Sequence, residues 1–110
     1  MPLSEKARIE LYLPDLPKQE YRDLLEALDR EFTYTFGGAS IVRGIEGSYL
    51  SQAGSHVRDR INLIYTDTPF AFRENLARIS RYTDQLREAA FAALEEEAVL
   101  VVVMPVYHAE

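Results

Sequence analysis

At 110 residues the chain is long enough to close one hydrophobic core and too short for two, so residues 1–110 read as a single domain. Apolar residues at 47% and charged residues at 27% give the balance of a globular chain. Eighteen acidic against twelve basic side chains leave a formal charge of −6, which opposes the phosphate attraction behind nucleic-acid binding, and the lack of cysteine removes disulfide and thiolate chemistry.

Residues 7–13 alternate, with Ala7, Ile9, Leu11 and Leu13 on one side and Arg8, Glu10 and Tyr12 on the other. That is the period of a half-buried strand. Pro14 and Pro17 break it and favour a helix start, because proline at a first helical turn gives up an N–H that would be unpaired there anyway. Tyr21, Leu24, Leu25, Leu28 and Phe32 then form one apolar stripe, predicting a helix over about residues 17–30 that covers the first strand.

After Gly37-Gly38, residues 39–45 read as a second strand rich in β-branched side chains, with Ala39, Ile41, Arg43 and Ile45 sharing a face. Residues 46–55, with two glycines and three serines, read as a mobile loop too long for a tight hairpin turn. A third strand is predicted over residues 57–66, with Ile61, Leu63 and Tyr65 facing the helices and Arg58, Arg60, Asn62, Ile64 and Thr66 facing away. Thr68-Pro69 has the chemistry of a helix start. Phe72, Leu76, Ile79, Thr83, Leu86, Ala90 and Leu94 fall near one direction, so one continuous helix of roughly 40 Å is expected to overhang the sheet and to stop at Glu95-Glu96-Glu97. Residues 99–106 form the last strand. It is apolar on both faces, and Pro105 places it at a sheet edge.

Strand, helix, hairpin, helix, strand is the ferredoxin-like βαββαβ pattern of an α+β sandwich: a four-stranded antiparallel sheet of order 4-1-3-2 with both helices on one face. The uncovered face of the last strand would leave valine, leucine and methionine in water, so a homo-oligomer, dimer or trimer, is expected. Residues 1–6 lack the apolar run of a secretory signal, and the longest apolar stretch, residues 98–107, is about half a bilayer span, which points to a cytoplasmic protein with no membrane partner.

The helix-free face would present Arg8, Glu10 and Tyr12 from the first strand and Arg58, Arg60 and Asn62 from the third, a mixed-charge patch suited to a small anionic or polar ligand. The base of the 46–55 loop, near Arg43, Tyr49 and Arg58, is the second candidate region. The candidate ligand-binding set is therefore Glu10, Tyr12, Arg43, Tyr49, Arg58, Arg60 and Asn62. His56 with Asp59, and His108 with Met104, have the spacing of helical metal ligands but do not fall on helices, so no metal site is expected, and no motif calls for a cofactor. Ser48, Ser51 and Ser55 lack a nucleophile elbow. Two functions follow: a module binding a small molecule or partner protein through the open sheet face or the loop, or a cofactor-free enzyme in which Glu10, Arg60 or a tyrosine moves a proton.

The segment Gly38-Ala39-Ser40-Ile41-Val42-Arg43-Gly44-Ile45-Glu46-Gly47, followed by a loop and a strand, resembles the small trimeric nitrogen-regulatory signal-transduction proteins. Small bacterial families of the same element order are similar too. The resemblance implies an oligomer with a signalling loop after the second strand and ligands held between subunits beside it. No lysine lies in or after this loop and no basic cluster follows the last strand, so that group's nucleotide-phosphate contacts have no counterparts here.

Overall fold

The computed structural model describes residues 2–95 and 99–110. The chain runs β1 (Leu3–Pro14), α1 (Gln19–Phe36), β2 (Ser40–Leu50), β3 (His56–Thr68), a 3₁₀ turn (Arg73–Asn75), α2 (Leu76–Leu94) and β4 (Leu100–Ala109). The strands make one antiparallel sheet of order β2-β3-β1-β4, which is the predicted order 4-1-3-2 read from the other edge. Pro105 does lie on an edge strand.

Both helices lie on one face, where Ile9, Leu11 and Leu13 of β1 and Ile64 of β3 meet Tyr21, Leu24, Leu25, Leu28 and Phe32 of α1 and Leu86, Ala90 and Leu94 of α2. The apolar stripe of α1 is the one its spacing predicts. This helix continues to Phe36, beyond the predicted end, because the Phe36 ring packs edge-on against Phe70 and Tyr82. Gly37 then ends it in the left-handed region at φ 98°, with its N–H donating to the Thr33 carbonyl at 2.9 Å. The far ends of the two helices are tied together by Lys18, whose Nζ donates to the Leu94 carbonyl at 3.2 Å.

Three expectations are corrected. The predicted loop 46–55 is mostly strand: β2 and β3 stay paired out to Leu50 opposite His56, and only residues 51–55 turn. There Ser51 N–H donates to the Ser55 carbonyl at 2.8 Å and Gly54 N–H to the Ser51 carbonyl at 2.9 Å. Side chains that suit a pleated surface, Ile45, Tyr49, Val57 and Ile61, drive this pairing where glycine and serine suggested a loop. Thr68-Pro69 does not start a helix either. Thr68 is still opposite Ala7 in the ladder, its Oγ1 accepts from Phe70 N–H at 3.3 Å, and Ala7 N–H donates to the Phe70 carbonyl at 2.9 Å. The helix can form only after that anchorage, so α2 has 19 residues, about 28 Å, in place of roughly 40 Å. It ends where expected: Glu95 is its left-handed cap, while Glu96, Glu97 and Ala98 lie outside the described residues.

The third correction concerns parity. Leu11 stands opposite Ile64, Ile9 opposite Thr66 and Leu13 opposite Asn62, so the even-numbered residues of β3 share the helix-covered side with the core of β1. Ile61, Leu63 and Tyr65 face the open side, the reverse of the expectation. In β2 a single extra residue between Val42, opposite Leu63, and Ile45, opposite Ile61, makes a β-bulge with Gly44 at φ 74°. Its effect is to switch β2 from one face to the other: Ile41 packs toward the core, but Ile45 points to the open side.

Candidate functional site

Two regions collect polar side chains. On the open face the even-numbered residues of β1 are flanked by β3 and β4. Arg8 lies between Asp67 and Met104, Glu10 between Tyr65 and Val102, and Tyr12 between Leu63 and Leu100. Arg8 and Asp67 form a two-pronged ion pair, Nε to Oδ1 at 2.6 Å and Nη2 to Oδ2 at 3.0 Å. Its guanidinium also lies 4.4 Å from the centre of the Tyr65 ring. His108 Nε2, reaching over from β4, meets Asp67 Oδ2 at 2.7 Å. The hydrogen bond from Arg8, helped by that from His108, holds the Asp67 carboxyl below its ordinary value despite partial burial, and the same bond raises Arg8. Glu10 is only 6% exposed and accepts from the Tyr12 hydroxyl at 3.0 Å, which pushes Tyr12 up.

Beside this polar cluster the open face is apolar. Val42, Leu63, Leu100, Val102 and Met104 all carry their side chains there, and Val42 and Leu100 are 43% and 56% exposed. On the other side of β4, Val101 and Val103 pack on the core. The strand's two apolar faces therefore have two different environments, one against the core and one on the open side, although residues 101–104 are all half-buried.

The second region is the projecting β2–β3 hairpin. Beyond Pro14, which is opposite Ile61, these two strands pair only with each other. Owing to the bulge, Glu46 comes opposite Arg60 and Ser48 opposite Arg58, on the side away from Ile45 and Ile61. With Gly47, Asp59 and Asp15 they line a cleft of about 690 Å³ at the base of the arm. Asp15 is fixed there by its N–H, which donates to the Arg60 carbonyl at 2.8 Å. Gly47 leaves room for the tip of Ile61: a Cβ at this position would come within 2.6 Å of Ile61 Cδ1, so that side chain would have to turn aside. Among the described residues neither Arg58 nor Arg60 is ion-paired.

The seven candidate residues thus separate. Glu10 and Tyr12 are on the open face and bonded to each other, while Arg58 and Arg60 sit together in the hairpin cleft, on the opposite side of the sheet. Asn62 is a core residue, 2% exposed: its Nδ2 donates to the Tyr21 hydroxyl at 2.6 Å and its Oδ1 accepts from the Gly44 N–H at 3.0 Å, so it ties the bulge to α1. Arg43 lies in the bulge, exposed, and Tyr49 is a half-exposed strand residue opposite Val57. Sequence reasoning missed Asp67 and Tyr65, the partners of Arg8. The signal that could have found them is the strand register, which becomes readable once Ile64 is placed in the core. Among the described residues no group of three or more histidine, aspartate or glutamate side chains could hold a metal ion, and no helix is long and apolar enough to cross a membrane.

No family model matches the chain, and no curated protein matches it. Among solved structures it is similar to the divalent cation tolerance protein CutA1 from Thermus thermophilus, with a TM-score of 0.60 at 20% identity over 96% of this chain and 87% of that one. CutA1 from Oryza sativa gives 0.61 at 22% identity over 98% and 85%. A nitrogen regulatory PII-like protein, CPII from Thiomonas intermedia, bound to ADP, AMP and bicarbonate, gives 0.53 at 18% identity over 99% and 100%. The group that the Gly38 to Gly47 segment resembles is thus represented among the structural neighbours. At these identities what is shared is the fold: this chain has the ferredoxin-like architecture of CutA1 and PII-like proteins.

Proposed function

We propose that the chain is a subunit of a homo-oligomer, assembled through the open sheet face, that binds a small anion in the cleft of the β2–β3 arm. The observation that carries the binding reading is the pair Arg58 and Arg60, brought to one side of the arm beside Ser48 and Gly47, with no ion-pair partner among the described residues. Two guanidinium forks recognise carboxylate or phosphate oxygens. Asp15, Glu46 and Asp59 on the same walls accept hydrogen bonds, so the ligand that fits best is an anion also bearing hydroxyl or amino donors. A cleft of about 690 Å³ is of small-molecule size. The fold neighbour CPII, which binds nucleotides and bicarbonate, is consistent with such a use of the architecture.

Assembly is supported by exposed Val42 and Leu100 with half-buried Val102 and Met104, for whose exposed surface water is a poor partner at about 25 cal/mol per Å². In an oligomer built on that face the Arg8, Asp67 and His108 cluster would set the register, since misplaced charges there would lose their partners. One observation favours an enzymatic reading instead: Glu10, nearly buried beside the Tyr12 hydroxyl, is a carboxylate placed for proton transfer if a substrate reaches this face.

A thermal-shift screen of nucleotides, phosphates and small carboxylates tests the binding reading. Hits are expected whose shifts are lost in Arg58→Ala and Arg60→Ala. Hits unchanged in both variants would place the ligand elsewhere. Sedimentation tests the assembly: the parent should be oligomeric at micromolar concentration and Val102→Lys monomeric, and a monomeric parent sinks that part of the reading.

A further inference from the structure

A second cavity lies away from the hairpin, where the C-terminal end of α1 and the first turns of α2 meet β1 and β3. It holds about 150 Å³ and is lined by Ile9, Thr35, Phe36, Thr68, Phe70, Arg78, Ile79 and Tyr82. We propose that this cavity is a binding site for a small apolar carboxylate, an aromatic or branched acid whose hydrocarbon part fills the hollow and whose carboxylate meets Arg78.

The walls argue for the hydrocarbon. Phe36 stands edge-on to Phe70, with ring centres 6.2 Å apart at 87°, and edge-on to Tyr82, at 5.5 Å and 89°. Three rings so placed offer both edges and faces to a fourth. The hydroxyls at the site are engaged elsewhere. Tyr82 Oη and Thr35 Oγ1 both donate to Glu31 Oε1, at 3.0 and 3.1 Å, and Thr68 Oγ1 accepts from Phe70 N–H. Burial together with the bond to Glu31 pushes the Tyr82 phenol well up, so it stays neutral and adds no charge to the wall. The hollow opens to solvent at its rim, and its walls offer a water molecule few of the two to four polar partners it needs. A cavity of about 150 Å³ accommodates a six-membered ring.

The rim argues for the carboxylate. Arg78 is the one charged side chain among the lining residues, and its guanidinium carbon lies 5.1 Å from the Phe70 ring centre. Among the described residues no carboxylate is within ion-pair distance of it. The Phe70 ring holds the guanidinium at the rim without satisfying its N–H donors, as a cation over a ring face does. A ligand combining a ring with an acid group would satisfy both the hollow and these donors.

The test uses the full chain with ¹³C-labelled isoleucine methyl groups, titrated with benzoate and, separately, with neutral benzamide. Benzoate should shift the Ile9 and Ile79 methyl signals saturably and raise the melting temperature, with benzamide roughly tenfold weaker. Arg78→Gln should bring benzoate down to the level of benzamide. Ile79→Phe, which fills the hollow, should abolish both responses, and Thr35→Phe, which fills it from the exposed side of α1, serves if the first variant does not fold. Arg58→Ala should change nothing here, which separates this site from the hairpin cleft. No saturable shift up to the solubility limit of benzoate, or binding that survives the filling variant, overturns the proposal. Equal affinity for benzoate and benzamide overturns its carboxylate half.

Discussion

On one side of the sheet Ile9, Leu11, Leu13 and Ile64 are sealed by two helices, and the polar groups that share this side are satisfied within the subunit: Asn62 by Tyr21 and Gly44, and Thr66, whose Oγ1 donates to the Gly38 carbonyl at 2.7 Å. On the other side the same strands carry an ion-paired cluster around Asp67 next to exposed Val42 and Leu100 and half-buried Val102 and Met104. The first face is complete in one copy of the chain. The second has the composition of an interface, with an apolar strip beside charges that already hold one another in place. The covered and the open face thus draw on alternate residues of single strands, most plainly in β4, where Val101 and Val103 pack on the core and Val102 and Met104 lie on the open side.

Truncating one residue on each face tests that division most directly. Leu11→Ala, at a fully buried site, should cost about 3 kcal/mol in denaturant unfolding, independent of protein concentration. Val102→Ala should cost about 1 kcal/mol or more with a concentration-dependent midpoint, as linkage to assembly requires. A concentration-independent loss at Val102 would mean that the open face is not where copies meet. Next in size, Asn62→Leu should destabilise by about 2 kcal/mol, because the Tyr21 hydroxyl and the Gly44 N–H each lose a partner in the interior. No loss would show that water reaches the covered face after all.

A smaller effect is expected from Asp67. Its folded-state value is lowered, chiefly by Arg8, so its contribution is complete above the ordinary carboxylate value of 3.8 and disappears as pH falls through the lower folded value. Asp67→Asn should therefore cost about 1 kcal/mol near neutral pH, as befits a partly exposed pair, with parent and variant converging in acid. A gap that persists in acid would have to come from packing. Smallest of all is the opening of the hairpin tip. Amides within residues 51–55 should exchange first and those of Ile45 and Ile61 later, since the ladder continues to Leu50 and His56. Equal, fast exchange along the whole arm would make it a loop.

Element order, sheet topology, the stripe on α1 and the edge position of Pro105 were all legible in the sequence, because each follows from periodicity or from proline's missing N–H. The facing of β3 was not. Ile61, Leu63 and Tyr65 look more like a core set than Asn62, Ile64 and Thr66, and only the pairing with β1 decides between them. Asn62 and Thr66 reach the covered side because α1 and the β2 backbone supply their hydrogen-bond partners, and those partners are distant in sequence. Arg58 and Arg60 were recognised as a pair but placed on the wrong side for the same reason. The cavity at Arg78 gave no local signal, since its walls come from both helices, two strands and the chain that follows β3.

The bulge at Arg43-Gly44 has an evolutionary corollary. With one residue inserted, the arm sorts into a mainly apolar side, Ile45 and Tyr49 with Val57 and Ile61, interrupted by Asp59 opposite Gly47, and a polar side, Glu46 and Ser48 with Arg58 and Arg60. Had the register of residues 40–42 continued without the bulge, Ile45 would stand opposite Arg60, Gly47 opposite Arg58 and Ser48 opposite Val57. Beyond the bulge, insertions and deletions of two residues in β2 preserve this sorting, while one that no bulge absorbs inverts it. Descendants of such a chain are expected to vary β2 beyond the bulge in even steps, and a rare odd step would exchange the side chains on the two sides of the arm.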